Sequence, residues 1–278
     1  MLTNILEVME EDFVTASLAT QFLVFPELGR GSASPFSNFP ASCYNVLPSI
    51  LSLTSSGHEL EGIQNVFSRC VKLRKLDVED CQLSSASDEL LHLSKLVNLH
   101  LKRCSISSFH EKFACKFEVV RYLEVSFAEL ARIPLDINLC GQLEDIVMND
   151  NCIDFIPDSL FNLKNLKALI LTGNRISKIS ADVGKLETLV VLMLSHNCIS
   201  ELPITIAYLT RLKHLQVAPN HCNPDTSPQK FRHISLVQRP SPSNLIKYPP
   251  SEVSTAEWRV LHHYCRVVCE VKNSRFLE

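Results

Sequence analysis

Apolar residues recur along this chain in one spacing, clearest over residues 186–206, LETLVVLMLSHNCISELPITI. There Leu186, Leu189, Leu192, Leu194, Ile199, Leu202 and Ile206 follow the pattern LxxLxxLxLxxNxIxxLPxxI, with Asn197 as its polar position. The alternation of Leu192 and Leu194 predicts a short strand with both side chains on one face, and Asn197 predicts the turn that leaves it. A step back of 23 residues gives Leu166, Leu169, Leu171, Asn174, Ile176 and Ile179; a second gives Leu143, Ile146, Met148, Asn151, Ile153 and Ile156. A third gives Val120, Leu123, Val125, Leu130 and Ile133, with Ala128 in the asparagine column.

Further towards the N-terminus, cysteine takes that column in two units: Leu96, Leu99, Leu101, Cys104 and Ile106, then Leu73, Leu76, Val78, Cys81 and Leu83. Ile50, Leu53, Ser55, His58, Leu60 and Ile63 keep the spacing of a degenerate edge unit. In the other direction Leu209, Leu212, Leu215, Val217 and Asn220 form an eighth unit, and Phe231, Ile234 and Leu236 predict the strand of a shortened ninth. Self-similarity at this period predicts a solenoid, in which no unit can bury its own leucines and stability is a sum of neighbour interfaces. An inward asparagine amide at the turn is expected to satisfy backbone groups that water cannot reach.

Composition adds limits. The 278 residues are 46% hydrophobic, enough apolar surface for one long repeat domain and too much for a disordered chain. A net charge of −3 without a lysine or arginine cluster argues against nucleic acid or a membrane surface as the main partner, and no membrane insertion is expected. The eleven cysteines fall mostly at inward columns, with Cys70 and Cys140 at unit boundaries, so they read as buried thiols. An odd count, unclustered cysteines and an acidic N-terminus give the expectation of a cytoplasmic or nuclear location with reduced thiols.

The ends differ from the middle. Over residues 1–25, Leu2, Ile5, Leu6, Met9, Phe13 and Val14 lie at helical spacing, which predicts an amphipathic helix that either caps the first repeat or binds a partner. Residues 26–46 carry loop-forming Pro, Gly and Ser and read as a linker to repeats spanning 47–240. Over residues 241–278, Pro249 and Pro250 precede a capping-box pair, Ser254 and Glu257, and a stripe of Trp258, Leu261, Cys265 and Val268, which predicts a closing cap helix. None of this supplies catalysis. The GxGxxG phosphate loop is absent, Ser195 and His196 read as strand neighbours facing different ways, and His262, His263, Cys265 and Cys269 lack a second pair to close a metal tetrahedron. The chain is read as a non-enzyme with no cofactor and no metal.

The repeats, together with NLIKYPPSEV at residues 244–253, resemble the intracellular leucine-rich repeat family and its terminal NPLxxPPxEV segment. The resemblance implies an α/β leucine-rich repeat solenoid: a horseshoe with a parallel concave β-sheet, short helical or 3₁₀ convex segments and helical caps. It also implies a protein-interaction scaffold, a monomer that binds a protein partner in signalling. Alternatives within the resemblance are a regulatory subunit of a phosphatase or small-GTPase pathway. A substrate receptor of a cullin-type ubiquitin ligase is another, because VLHHYCRVVC at 260–269 resembles an Elongin-binding box, with departures at Val260 and Cys269.

On such a strand the residues between the buried leucines face the concave surface. The middle column reads Thr54, Asp77, His100, Glu124, Val147, Ile170, Met193 and Gln216, charged early and apolar late. Partner binding is expected where the character changes, at Tyr122, Glu124, Asp145, Val147, Ile170 and Met193.

Overall fold

Each LxxL step closes a turn that feeds a strand. The first position's carbonyl accepts from the amide three residues on, as in Leu73 N to Cys70 O, Leu96 N to Leu93 O, Leu189 N to Leu186 O and Leu212 N to Leu209 O, each at 3.0 Å. Both members of every pair are buried, and cysteine fills the first place at Cys70 and Cys140 because that position needs only a small apolar group.

The computed structural model describes residues 44–56, 66–81, 90–200, 202–217 and 220, and the backbone of 22–25 and 235–236. The chain divides into two compact units, Met1–Glu129 and Leu130–Glu278. In the first, five strands pair in parallel: β1 (Phe22–Phe25), β2 (Ser52–Ser56), β3 (Lys75–Glu79), β4 (Asn98–Lys102) and β5 (Tyr122–Ser126). In the second, β6 (Asp145–Val147), β7 (Ala168–Ile170), β8 (Val191–Met193) and β9 (His214–Gln216) pair in parallel. Register runs along the repeat columns, so Leu53 faces Leu76, Leu99 and Leu123 in turn, and Ile146 faces Leu169, Leu192 and Leu215.

The turns of the second unit are 3₁₀ segments, Ile137–Leu139, Asp158–Asn162, Ala181–Lys185 and Ile204–Tyr208. Proline or serine at the entry stops the preceding extended stretch: Pro157, Ser180 and Pro203 all sit at extended ψ, and Ser180 Oγ accepts from Asp182 N. The first unit uses a one-turn α-helix, Phe113–Lys116, at the corresponding place before β5. Phe109, Phe113 and Phe117 stack through it at 4.3 and 4.6 Å between ring centres, giving this repeat an aromatic filling in place of leucines.

Three expectations are corrected. The helix expected over 1–25 ends in a strand, Phe22–Phe25, paired in parallel with β2, while residues 1–21 lie outside the described residues. The strand of the ninth unit exists as β10 (Ser235–Leu236), but it pairs antiparallel to β9, so the chain reverses there and does not add a further turn of the solenoid. Reduced thiols hold for Cys70, Cys81, Cys104, Cys115, Cys140 and Cys152, whereas Cys198 is disulfide-bonded. Cys198 is the half-buried residue beyond Asn197, outside the inward columns on which the reading of buried thiols rested. Of the linker expected over 26–46, residues 44–46 are described and Val46 is buried; residues 26–43 and the segment 241–278, with its cap helix, ligase-like box and His/Cys cluster, lie outside the described residues.

Candidate functional site

A left-handed residue ends each strand turn. Asp80, Arg103, Phe127, Asp150, Gly173 and His196 all have φ between 51° and 74°, and each immediately precedes the asparagine column. This turn redirects the chain so that the next side chain points inward. Asn174 shows the result: its Oδ1 accepts from Ile153 N at 3.1 Å, and its Nδ2 donates to Met148 O at 2.8 Å and Leu171 O at 3.0 Å. Asn197 repeats the pattern with Ile176 N, Leu171 O and Leu194 O, and Asn151 and Asn220 take the same place one repeat away on either side. Each amide thus joins one repeat to the one before it. Ser195 is fully buried and His196 is exposed at left-handed φ, so both sit in the turn after β8, not on the strand expected for them.

With the leucines fixed inward, the alternate strand residues form an open face, and the expected site residues fall on it in two groups. In the first unit Tyr122 and Glu124 meet: the phenol donates to Glu124 Oε2 at 3.1 Å. The same oxygen lies 3.2 Å from His100 Nδ1, and the His100 and Tyr122 rings stack at 4.5 Å. His100 belongs to this cluster although the expected site omitted it; its place one repeat before Glu124 in the middle column was the available signal.

The rest of that unit's open face is closed by its own charges. Lys75 pairs with Asp77 at 3.5 Å and Lys102 with Glu79 at 3.1 Å. Arg103 also reaches Glu79, and it holds Asp80 with two hydrogen bonds at 2.6 and 3.0 Å. Those bonds raise the Arg103 pKa further, and the guanidinium stays cationic.

In the second unit Val147, Ile170 and Met193 occupy successive rungs, directly opposite one another and all half-buried. Ala168 and Val191 flank them on the adjacent column, in line with Asp145. Burial pushes the Asp145 carboxyl up, the neighbouring charge of Glu144 adds to this, and Lys167 opposes it. Lys167 itself is engaged by Glu144. The Asp145 carboxylate has no hydrogen bond or ion pair among the described residues, while beyond the stripe Asn149 accepts from Thr172 N at 3.0 Å.

Residues 164–221 match the model of the family described as leucine rich repeat, and this segment contains β7, β8 and β9 with three of the bridging asparagines, Asn174, Asn197 and Asn220. This segment is made of leucine-rich repeats. The chain's repeats are similar to a flightless-1 homologue from Caenorhabditis elegans, 31% identical over 114 residues, which covers 40% of this chain and 9% of that protein. They are also similar to an adenylate cyclase from Podospora anserina, 25% identical over 139 residues, covering 50% of this chain and 6% of the cyclase. The matches thus span less than a tenth of either relative's length. Among solved structures, that of a TLR13–ssRNA13 complex superposes with a TM-score of 0.59 at 21% identity, covering 76% of this chain and 31% of that one, which shows a shared fold. Leucine-rich repeats are generally non-catalytic and mediate protein–protein contacts. No helix among the described residues is long and apolar enough to cross a membrane.

Proposed function

We propose that this protein is a non-catalytic interaction module that holds a protein partner on the open face of its repeat strands. The observation that carries this reading is the run Val147, Ile170 and Met193. These are three unlike apolar side chains on consecutive rungs, left half-exposed on a face whose geometry is set by a fully buried leucine ladder. A rigid scaffold that presents an ordered apolar stripe suits binding, because little side-chain freedom remains to be lost on association. Within the first unit, the Tyr122, Glu124 and His100 cluster is a separate polar feature of the strand face.

The pairing of Ile170 and Met193 gives the test. Replacing both by aspartate leaves Leu169, Leu171, Leu192 and Leu194 buried, so the melting temperature should hold. Unpaired charge would then stand at the contact and remove binding by several kcal/mol, on the order of a thousandfold in Kd. Affinity capture from native lysate, compared between wild type and this double variant, reads the effect. A variant that melts like wild type and retains the full set of wild-type partners would overturn the assignment of this face.

A further inference from the structure

The stripe in the second unit carries information about the shape of what it accepts. Parallel strands lie about 4.8 Å apart, so Val147, Ile170 and Met193 mark three points spanning roughly 9.6 Å at right angles to the strands. An α-helix laid along that line presents residues i, i+3 or i+4 and i+7 on one face, and its seven-residue step covers about 10.5 Å, within about 1 Å of the three rungs. An extended segment presents one face every ~6.6 Å, so its third side chain falls about 13 Å from the first and overshoots by most of a rung. The strand edges are also engaged along the β6 to β9 ladder, which leaves side chains, not backbone groups, to do the recognising.

Charge fixes the direction. Asp145 stands on the same rung as Val147, at the end of the flanking column made by Ala168 and Val191. Among the described residues its side chain has neither a hydrogen bond nor an ion pair, and the nearby Lys167 is engaged by Glu144. A half-buried carboxylate beside an apolar stripe, with no partner of its own, complements a cation carried at one end of an apolar segment.

We infer that the open face of β6, β7 and β8 accepts an amphipathic helix of a partner protein, with three apolar residues one turn apart on the Val147, Ile170 and Met193 rungs and a lysine or arginine at the end that meets Asp145. The inference rests on the interaction reading above and narrows it to one class of partner. Ala168, the smallest side chain of the flanking column, leaves room for the helix to settle against Ile170 and Val191.

The probes are three fluorescein-labelled synthetic peptides offered to the full chain. One is a stapled helix with leucine at i, i+3 and i+7 and a lysine in the turn of the first leucine; the second has glutamate for that lysine. The third is an unstapled alternating peptide of the same composition as the first. Fluorescence anisotropy should show the lysine helix binding at least tenfold more tightly than the other two. Asp145→Lys should invert the preference between the lysine and glutamate helices, and Ile170→Asp with Met193→Asp should abolish binding of both at unchanged melting temperature. Tighter binding of the alternating peptide, or an unchanged lysine preference in Asp145→Lys, overturns the helix assignment. The same is true if no helix binds and sedimentation shows the stripe occupied by a second copy or by the chain's own tail. If the helix assignment fails in any of these ways while the double aspartate variant still loses its natural partners, the interaction reading survives without it.

Discussion

In Met1–Glu129 the inward position after the strand turn is held by Cys81, Cys104 and Ala128; in Leu130–Glu278 it is held by Asn151, Asn174, Asn197 and Asn220. The second unit therefore ties each repeat to the preceding one with a side-chain amide that accepts once and donates at least once. The first unit has only a thiol donor at this place, Cys81 Sγ to Glu79 O at 3.1 Å and Cys104 Sγ to Lys102 O at 3.4 Å, with a long contact of 3.5 Å from Cys104 Sγ to Val78 O as its weaker tie to the preceding repeat. The amide that would have found an asparagine oxygen turns to backbone instead: Ile106 N donates to Ala128 O at 3.0 Å. Glu129, directly after Ala128, adopts a second left-handed φ of 60° in this turn. The open faces differ as well. The first unit's strand charges form ion pairs with one another, while the second has an apolar stripe and, at Asp145, a carboxylate with no side-chain hydrogen bond or ion pair among the described residues. One repeat pattern can thus be tied by side-chain amides or by weaker thiol and backbone bonds, and the better braced unit is the one that leaves an apolar stripe half-exposed.

The sharpest test of that contrast is Asn197→Ala against Cys104→Ala. Removing the Asn197 amide leaves the Ile176 amide without its acceptor in a dry interior and takes one of two donors from the Leu171 and Leu194 carbonyls, which keep Asn174 and Asn220, and should cost about 2 kcal/mol. Losing the Cys104 thiol removes one weak donor and should cost about 1 kcal/mol. Urea unfolding of the two variants measures the difference, and equal losses would mean that the amide ladder is not what braces the second unit.

Alkaline pH should next weaken the repeats of the first unit that bury Cys70 and Cys104. Burial pushes the thiols of Cys70 and Cys104 up to about 12 from 9.0. Because the folded pKa is the higher one, their stabilising contribution is complete below pH 9.0 and is lost as pH rises towards about 12. At pH 10 each thiol should have given up about 1 kcal/mol. Hydrogen exchange at neutral and alkaline pH reads the two units separately, and pulsed alkylation at neutral pH should label exposed Cys115 well before Cys70 or Cys104. Faster opening of the second unit on the same titration would reverse the comparison.

The turn offers a smaller contrast. At Gly173, φ is +74° and an added Cβ would lie 2.3 Å from Asp150 Oδ1, so Gly173→Ala should destabilise by about 2 kcal/mol as the aspartate is displaced. His196 occupies the equivalent turn with its side chain exposed, so His196→Gly should leave stability unchanged or raise it slightly. A Gly173→Ala protein that melts with wild type would show that Asp150 moves aside freely.

How much of this was legible beforehand depends on whether it lies in the period. The strand register, the buried leucines and the role of Asn174 and Asn197 follow from a 23-residue spacing in which one inward side chain recurs at each step. The open-face columns follow from the same alternation, which is why Val147, Ile170 and Met193 could be placed on one stripe. What escaped was set by departures from the period. Phe22–Phe25 precedes the first recognisable unit and keeps only Leu23 in the leucine column, opposite Leu53, and β10 pairs in the reverse direction, which spacing alone cannot encode. Asp145 was legible as a column member, but its lack of a partner was not, because the engagement of Lys167 by Glu144 depends on which of two adjacent carboxylates the lysine reaches.

That choice yields the smallest expected effect, and one of opposite sign. The Asp145 carboxyl is raised chiefly by burial, then by the charge of Glu144, against an opposing contribution from Lys167. A raised folded pKa means the favourable contribution is present below the ordinary 3.8 and is lost as pH climbs through the folded value, so at neutral pH the ionised group weighs against the fold. Asp145→Asn should therefore raise the stability of the second unit slightly at neutral pH, by a few tenths of a kcal/mol once solvent screening is allowed for, and the gain should vanish in acid. In the first unit the corresponding change, Asp80→Asn, weakens the two bonds from Arg103 and should lower stability or leave it level at neutral pH. Melting curves of the two variants at neutral and acid pH make the comparison. If Asp145→Asn lowers stability at neutral pH, Asp145 has a partner in the folded chain, and the carboxylate is then part of the scaffold and not held open for a ligand.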